Sequence, residues 1–160
     1  MQVLMLIMML AFAQMIYGQS KSVTRFRAGH KENSNMFFYR STLNMLNTEN
    51  NPELADMIRD IEEIRVLNYD KEKQNLSHED ITGLRKAIRE EEYNNLMMMN
   101  EKNNTIDLYS REKRGKTVGF VALVENRESL ILIDLIGSID VKKFMELKQR
   151  LDSRMGNSTN

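Results

Sequence analysis

After Glu92 the apolar residues of this chain stop recurring at helical spacing and begin to alternate. "YNNLMMM" (93–99), "TIDLYSR" (105–111), "KTVGFVALV" (116–124) and "SLILIDLI" (129–136) follow one another with only short polar turns between them. Turns that short leave no room for crossover helices, so neighbouring segments must run antiparallel. The C-terminal half is therefore a four-strand meander, and a meander this apolar needs one face covered.

The N-terminal half supplies the cover. Leu54, Met57, Ile58 and Ile61 fall on one side of a helix over Pro52–Glu63, with Pro52 in a first turn that tolerates it. "SHED" (77–80) has the form of a capping box ahead of Ile81, Leu84 and Ile88. Lys21–Asn33 reads as a helix with Ser22 as N-cap and with Val23, Phe26 and His30 on one side. "NMFFYR" (35–40) and "IRVLNY" (64–69) suit strands, and Ser41 opens a brief turn of helix carrying Leu43 and Leu46. Asp140 caps a last helix whose inward residues are Val141, Phe144, Leu147 and Leu151. The expected fold is α+β: a mainly antiparallel sheet with a C-terminal four-strand meander and helices packed on one face. It forms one domain over 19–153, followed by a tail over 154–160.

Period 2 then assigns faces. Ile131, Ile133 and Leu135 make a wholly aliphatic face, expected under the helices, while Leu130, Leu132, Asp134 and Ile136 make the other. In β-strand 105–111, Ile106 and Leu108 oppose Thr105, Asp107, Tyr109 and Arg111. Asp107, Tyr109 and Asp134 thus fall on a mixed outer face, a candidate partner-binding surface. Asp134 is expected to reach water there, because an unpaired carboxylate in a core is strongly disfavoured.

With 160 residues, 41% hydrophobic and 29% charged, the chain can sustain one core. Lys+Arg and Asp+Glu both number 23, so no excess of positive charge exists to condense on nucleic acid, which is not expected as a partner. "REKRGK" (111–116) reads as a solvated turn. The first twenty residues carry no charged side chain, and Val3–Ala13 is an apolar run ending in Ala11-Phe12-Ala13. It is shorter than the ~20 residues of a spanning helix and has the form of a signal-peptide core over residues 1–18, with cleavage after Ala13 or Gly18. Export to the periplasm or the exterior is expected. With no Cys, the chain has no disulfide and no lipid-accepting residue, so it is not expected to be lipid-anchored.

Catalytic and metal motifs are missing. "RGKT" (114–117) has Ser110 where a phosphate loop needs Gly, and it joins two strands. His30 and His78 are the only histidines and share no metal-ligand spacing. No G-x-S-x-G occurs. Met97, Met98 and Met99 point alternately to opposite faces of a strand and cannot converge on an ion. No catalytic residue, metal or cofactor is expected. The leading reading is a non-enzymatic envelope protein that binds a protein or small ligand. A small hydrolase using Asp107 or Asp134, or an envelope-stress signalling component, are the alternatives.

The order of segments carries a resemblance. "STLNMLN" (41–47), "PELADMIRDIEEIRVLNYD" (52–70), "YNNLMMMNEKNNTIDLY" (93–109) and "LILIDLIGSIDVKKFMEL" (130–147) follow one another as in the small exported bacterial proteins of the domain-of-unknown-function family numbered forty-two fifty-two. The likeness extends over about Val23 to Leu151. The resemblance implies export in a Gram-negative bacterium and a compact α+β domain, and it brings no catalytic residue. This chain departs from many relatives in lacking a lipobox Cys. It also has Ser138 where an acidic or amide residue is frequent, so that the Gly137–Asp140 turn is not read as a metal site.

Overall fold

The computed structural model describes residues 19–101 and 103–139. The expected signal peptide, the helix bearing Val141, Phe144, Leu147 and Leu151, and the tail lie outside the described residues.

In chain order the elements are α1 (Lys21–Gly29), β1 (Ser34–Tyr39), α2 (Arg40–Leu46), α3 (Pro52–Ile58), β2 (Ile61–Asp70), α4 (His78–Glu90), β3 (Tyr93–Glu101), β4 (Asn104–Lys113), β5 (Lys116–Glu125) and β6 (Ser129–Gly137). The six strands form one sheet in the order β1-β2-β6-β5-β4-β3, and each neighbouring pair is antiparallel. The meander is present as expected. Its last strand lies between β5 and β2, and this interior position suits "LILIDLI", which is apolar on both sides.

Capping sets the helix boundaries. Ser20, not Ser22, is the N-cap of α1, and its Oγ accepts from the Val23 amide at 3.2 Å. In α4 the box closes both ways: Asp80 N–H donates to Ser77 Oγ at 3.1 Å and Ser77 N–H to Asp80 Oδ2 at 2.9 Å. Asn51 Oδ1 caps α3, accepting from the Glu53 amide at 2.9 Å. That helix stops at Ile58, earlier than its apolar spacing suggests, because Ile61 already belongs to β2.

The core reverses the expected faces. Helices α1 and α4 lie on the side of Leu67, Tyr69, Val121, Leu123, Leu130 and Leu132, where Val23, Phe26, Ile81, Leu84 and Ile88 complete one cluster. Ile131, Ile133 and Leu135 are half-buried on the opposite side. There the short α2 and α3 bring Leu43 and Ile58 against Phe38, Ile64 and Leu135. The reason lies in pairing. Apart from Asp134, strand β6 is aliphatic on both faces, so its own alternation chooses only weakly between them, whereas its register places Leu132 between Leu67 and Leu123, both fully buried.

Gly137 ends β6 at φ +118°, and a Cβ on it would stand 2.3 Å from the Asp60 carbonyl oxygen. Ser138 N–H donates to that oxygen at 2.9 Å. Two of the segments that carry the family resemblance, the α3–β2 passage and the turn after β6, therefore touch.

Candidate functional site

Strand register places Phe37, Arg65, Asp134, Val121 and Tyr109 in one row across β1, β2, β6, β5 and β4. The row lies on the face covered by α1 and α4. Asp134, Tyr109 and Asp107 are each 0% exposed, so the wet outer face expected for these three residues is corrected to a buried inner one. Asp107 and Tyr109 are neighbours on β4, while Asp134 is separated from Tyr109 by β5. The structure divides the three between two polar sites.

The first surrounds Asp134. Neither of its carboxylate oxygens has a hydrogen-bond partner among the described residues. Burial pushes its pKa up to about 7, against the pull of Arg65, the Ser20 backbone and Arg111. Both cations have other partners: Arg65 Nε donates to Glu63, and Arg111 Nη1 stands 3.9 Å from Glu91 Oε1. The Arg111 guanidinium also lies over the Tyr93 ring, 4.9 Å from its centre. Glu91 anchors the start of α1, accepting from the Ser22 amide at 2.8 Å, from Ser20 Oγ at 3.0 Å and from the Lys21 amide. Burial opposes the Glu91 charge, but the hydrogen bonds from Ser22 and Lys21 outweigh it and hold its pKa below the usual range. Asp134 is sealed from solvent, while Glu91 ties the start of α1 to this side of the sheet.

The second site is open. A cleft of about 540 Å³ lies between the start of α4, β4 and the β5–β6 turn, with Arg85, Asp107, Glu125 and Lys71 in its wall. Arg85 Nε donates to Asp107 Oδ2 at 2.7 Å and its Nη2 to Glu125 Oε2 at 2.7 Å. Lys71 Nζ donates to Glu125 Oε1 at 2.7 Å and to the Asn126 carbonyl at 2.6 Å. Burial opposes the Glu125 charge, but Lys71 and Arg85 prevail and lower its pKa. Asp107 Oδ1, also buried, has no hydrogen-bond partner among the described residues. Met98 stands opposite Asp107 on β3, lines the same cleft and is 60% exposed. Arg127 is on the rim, in the turn that Asn126 Oδ1 fixes by accepting from the Ser129 amide at 2.7 Å.

The histidines serve packing and capping. His30 stacks on Phe26 at 4.5 Å and approaches the Asp80 cap of α4 at 3.7 Å, and His78 Nε2 lies 3.4 Å from Thr82 Oγ1. Among the described residues no group of three His, Cys, Asp or Glu is placed to hold a metal ion.

Sequence reasoning singled out Asp107 but missed Arg85, Glu125 and Lys71, which are brought together from three elements. Arg65 was the more legible of the missed residues, since it alternates with Leu67 and Tyr69 on an apolar face.

A family model described as a domain of unknown function (DUF4252) matches residues 29–147. The chain belongs to the DUF4252 family. The matched span contains Asp134, Asp107, Arg85 and Glu91, while Ser20, Lys21 and Ser22 precede it. Among curated proteins, none matches this chain.

Proposed function

We propose that this DUF4252 protein is an exported, non-enzymatic binding module of the cell envelope, and that the Asp107 cleft receives its ligand. The uncharged apolar run ending in Ala11-Phe12-Ala13 supports export. Among the described residues no helix is long and apolar enough to cross a membrane. The observation that carries the binding reading is the charged wall of the open cleft, where Asp107 and Glu125 hold Arg85 and Lys71 in place and Arg127 is on the rim. The sequence carries no G-x-S-x-G and no metal-ligand spacing of its histidines, which favours binding over turnover.

Native mass spectrometry of the protein taken from its own envelope fraction tests both parts. The expected mass is that of a chain cut after Ala13 or Gly18, carrying a small non-covalent adduct that Asp107→Ala loses. A full-length chain confined to the cytoplasm overturns export. A bare mass in both proteins overturns ligand binding.

A further inference from the structure

We infer that the open edge of β3 is an interface between two copies of this chain, paired antiparallel about a two-fold axis at Met98 so that their sheets continue as one. Strand β3 ends the strand order, so among the described residues one row of its N–H and C=O groups has no strand beside it. Edge strands are ordinarily shielded by charge, proline or short length, because an open row of backbone groups accepts any extended chain. This one is nine residues long and carries neither a charge nor a proline from Tyr93 to Asn100. Its one interruption is the bulge between Asn95 and Met97, after which Met97–Glu101 pairs regularly with β4. Leu96, Met98 and Met99 are 47%, 60% and 40% exposed, so half of the six exposed large apolar side chains among the described residues lie on this strand. The opposite edge is flanked instead, since α2 follows β1 directly and its Leu43 packs with Phe38.

The residues of the edge select a second copy as the occupant. A two-fold axis perpendicular to the sheet keeps inner side chains with inner and outer with outer, so opposed residues must share a face. With Met98 opposite its own counterpart, Met97 meets Met99 on the outer face and Asn100 meets the bulge at Leu96. Every one of these pairs is uncharged, and the flexible methionines adapt to one another. An axis at Met97 would set Met99 against Asn95 across the bulge, and an axis at Met99 would set Met98 against Asn100. On the outer face Val66, Ile133, Ala122, Leu108 and Met97 form one row from β2 to β3, so the apolar surface reaches the edge without a polar rim. A copy joined there extends that row through its own Met99 and Ile106. The formal net charge is zero, so two copies approach without long-range repulsion. Met98 also lines the Asp107 cleft, and the clefts of the two copies come to lie on either side of the shared edge, whatever they bind.

Sedimentation velocity of the folded protein, from micromolar to near-millimolar concentration, is expected to show a monomer passing to a species of twice its mass. Met98→Lys sets two ammonium groups opposite each other and is expected to weaken that dimer about tenfold or more. Met36→Lys, a similarly exposed change at the β1 edge, is expected to leave it unaltered. The chain has no cysteine, so Met98→Cys introduces a single thiol. Opposed residues of antiparallel strands stand roughly 4.5–5.5 Å apart between Cα atoms, within the disulfide range of about 4.4–6.8 Å, and air oxidation is expected to give a covalent dimer. Met36→Cys is expected to stay monomeric under the same conditions. A monomer at every concentration overturns the pairing. A dimer that Met98→Lys leaves intact, or that Met36→Lys dissolves, overturns the β3 edge, and so does equal cross-linking of the two thiols. Should Met98→Lys fail to fold, the contrast between the two thiols decides alone. A chain that stays monomeric when pure, and whose Met97–Asn100 amides gain exchange protection only from another envelope protein, gives the edge to a different partner and overturns the second copy.

Discussion

Arg65 and Asp134 face each other across the β2–β6 ladder, yet no hydrogen bond joins them. The Arg65 guanidinium turns to Glu63 instead and lies 6.0 Å from the centre of the Phe37 ring. Asp134 is thus a buried carboxylate whose neighbouring cations are both committed elsewhere, which is why burial dominates its titration.

That arrangement sets the pH dependence. Because the folded pKa of about 7 lies above the ordinary aspartate value of 3.8, the native state holds a proton that the unfolded chain releases between those two values. The Asp134 contribution to stability is therefore greatest below pH 4 and is lost as pH rises toward 7. Asp134→Asn should remove this loss and strand neither Arg65 nor Arg111. Urea titrations should show the variant more stable than wild type at pH 8 by about 2–4 kcal/mol, with the gap closing by pH 4. A variant less stable than wild type at pH 8 would mean that Asp134 is a paired charge after all.

Glu91 acts in the opposite sense. Its folded pKa is lowered, so its support of α1 is present above the ordinary glutamate value of 4.5 and disappears as pH falls through the folded one. Glu91→Gln should destabilise the start of α1 by about 1.5–3 kcal/mol, the range for hydrogen bonds to a charged group. Hydrogen exchange at the Ser22, Val23 and Thr24 amides should quicken while α4 stays protected. Unchanged exchange would show that Ser20 alone caps the helix.

The two faces of β6 can be weighed against each other. Leu132→Ala, under α1 and α4, should lower stability by about 2–5 kcal/mol. Ile133→Ala, half-buried on the other side, should lower it by roughly 1–2 kcal/mol, since less of its surface is removed from water. Denaturant midpoints decide the order, and equal losses would place a second full core on the outer face.

Arg85 holds the buried Asp107. Arg85→Met should cost on the order of 3–5 kcal/mol, because it strands a carboxylate that has no exposed surface. Adding Asp107→Asn should restore part of that loss, and a double-mutant cycle reads the coupling directly. Additive effects would mean that the pair contributes little.

What the sequence determined by itself is local. The change of period at Glu92 specified the meander, the Ser77–Asp80 box began α4, and the apolar spacing of Ile81, Leu84 and Ile88 chose the side of that helix that is buried. These depend on residues a few positions apart, where steric preference and capping act without help from the rest of the fold. The tertiary structure decided which face of β6 the helices cover, and with it the fate of Asp134, Asp107 and Tyr109. Alternation can say only that Asp134 opposes Ile133 and Leu135. Because both faces are aliphatic but for Asp134, the choice passes to pairing with Leu67 and Leu123 and to the seat of α1 and α4. The same holds for the Asp107 cleft. A helix side chain, Arg85, a strand end, Glu125, and a turn lysine, Lys71, meet there across 54 positions of sequence between Lys71 and Glu125, and their mutual charge arises only once the chain has folded.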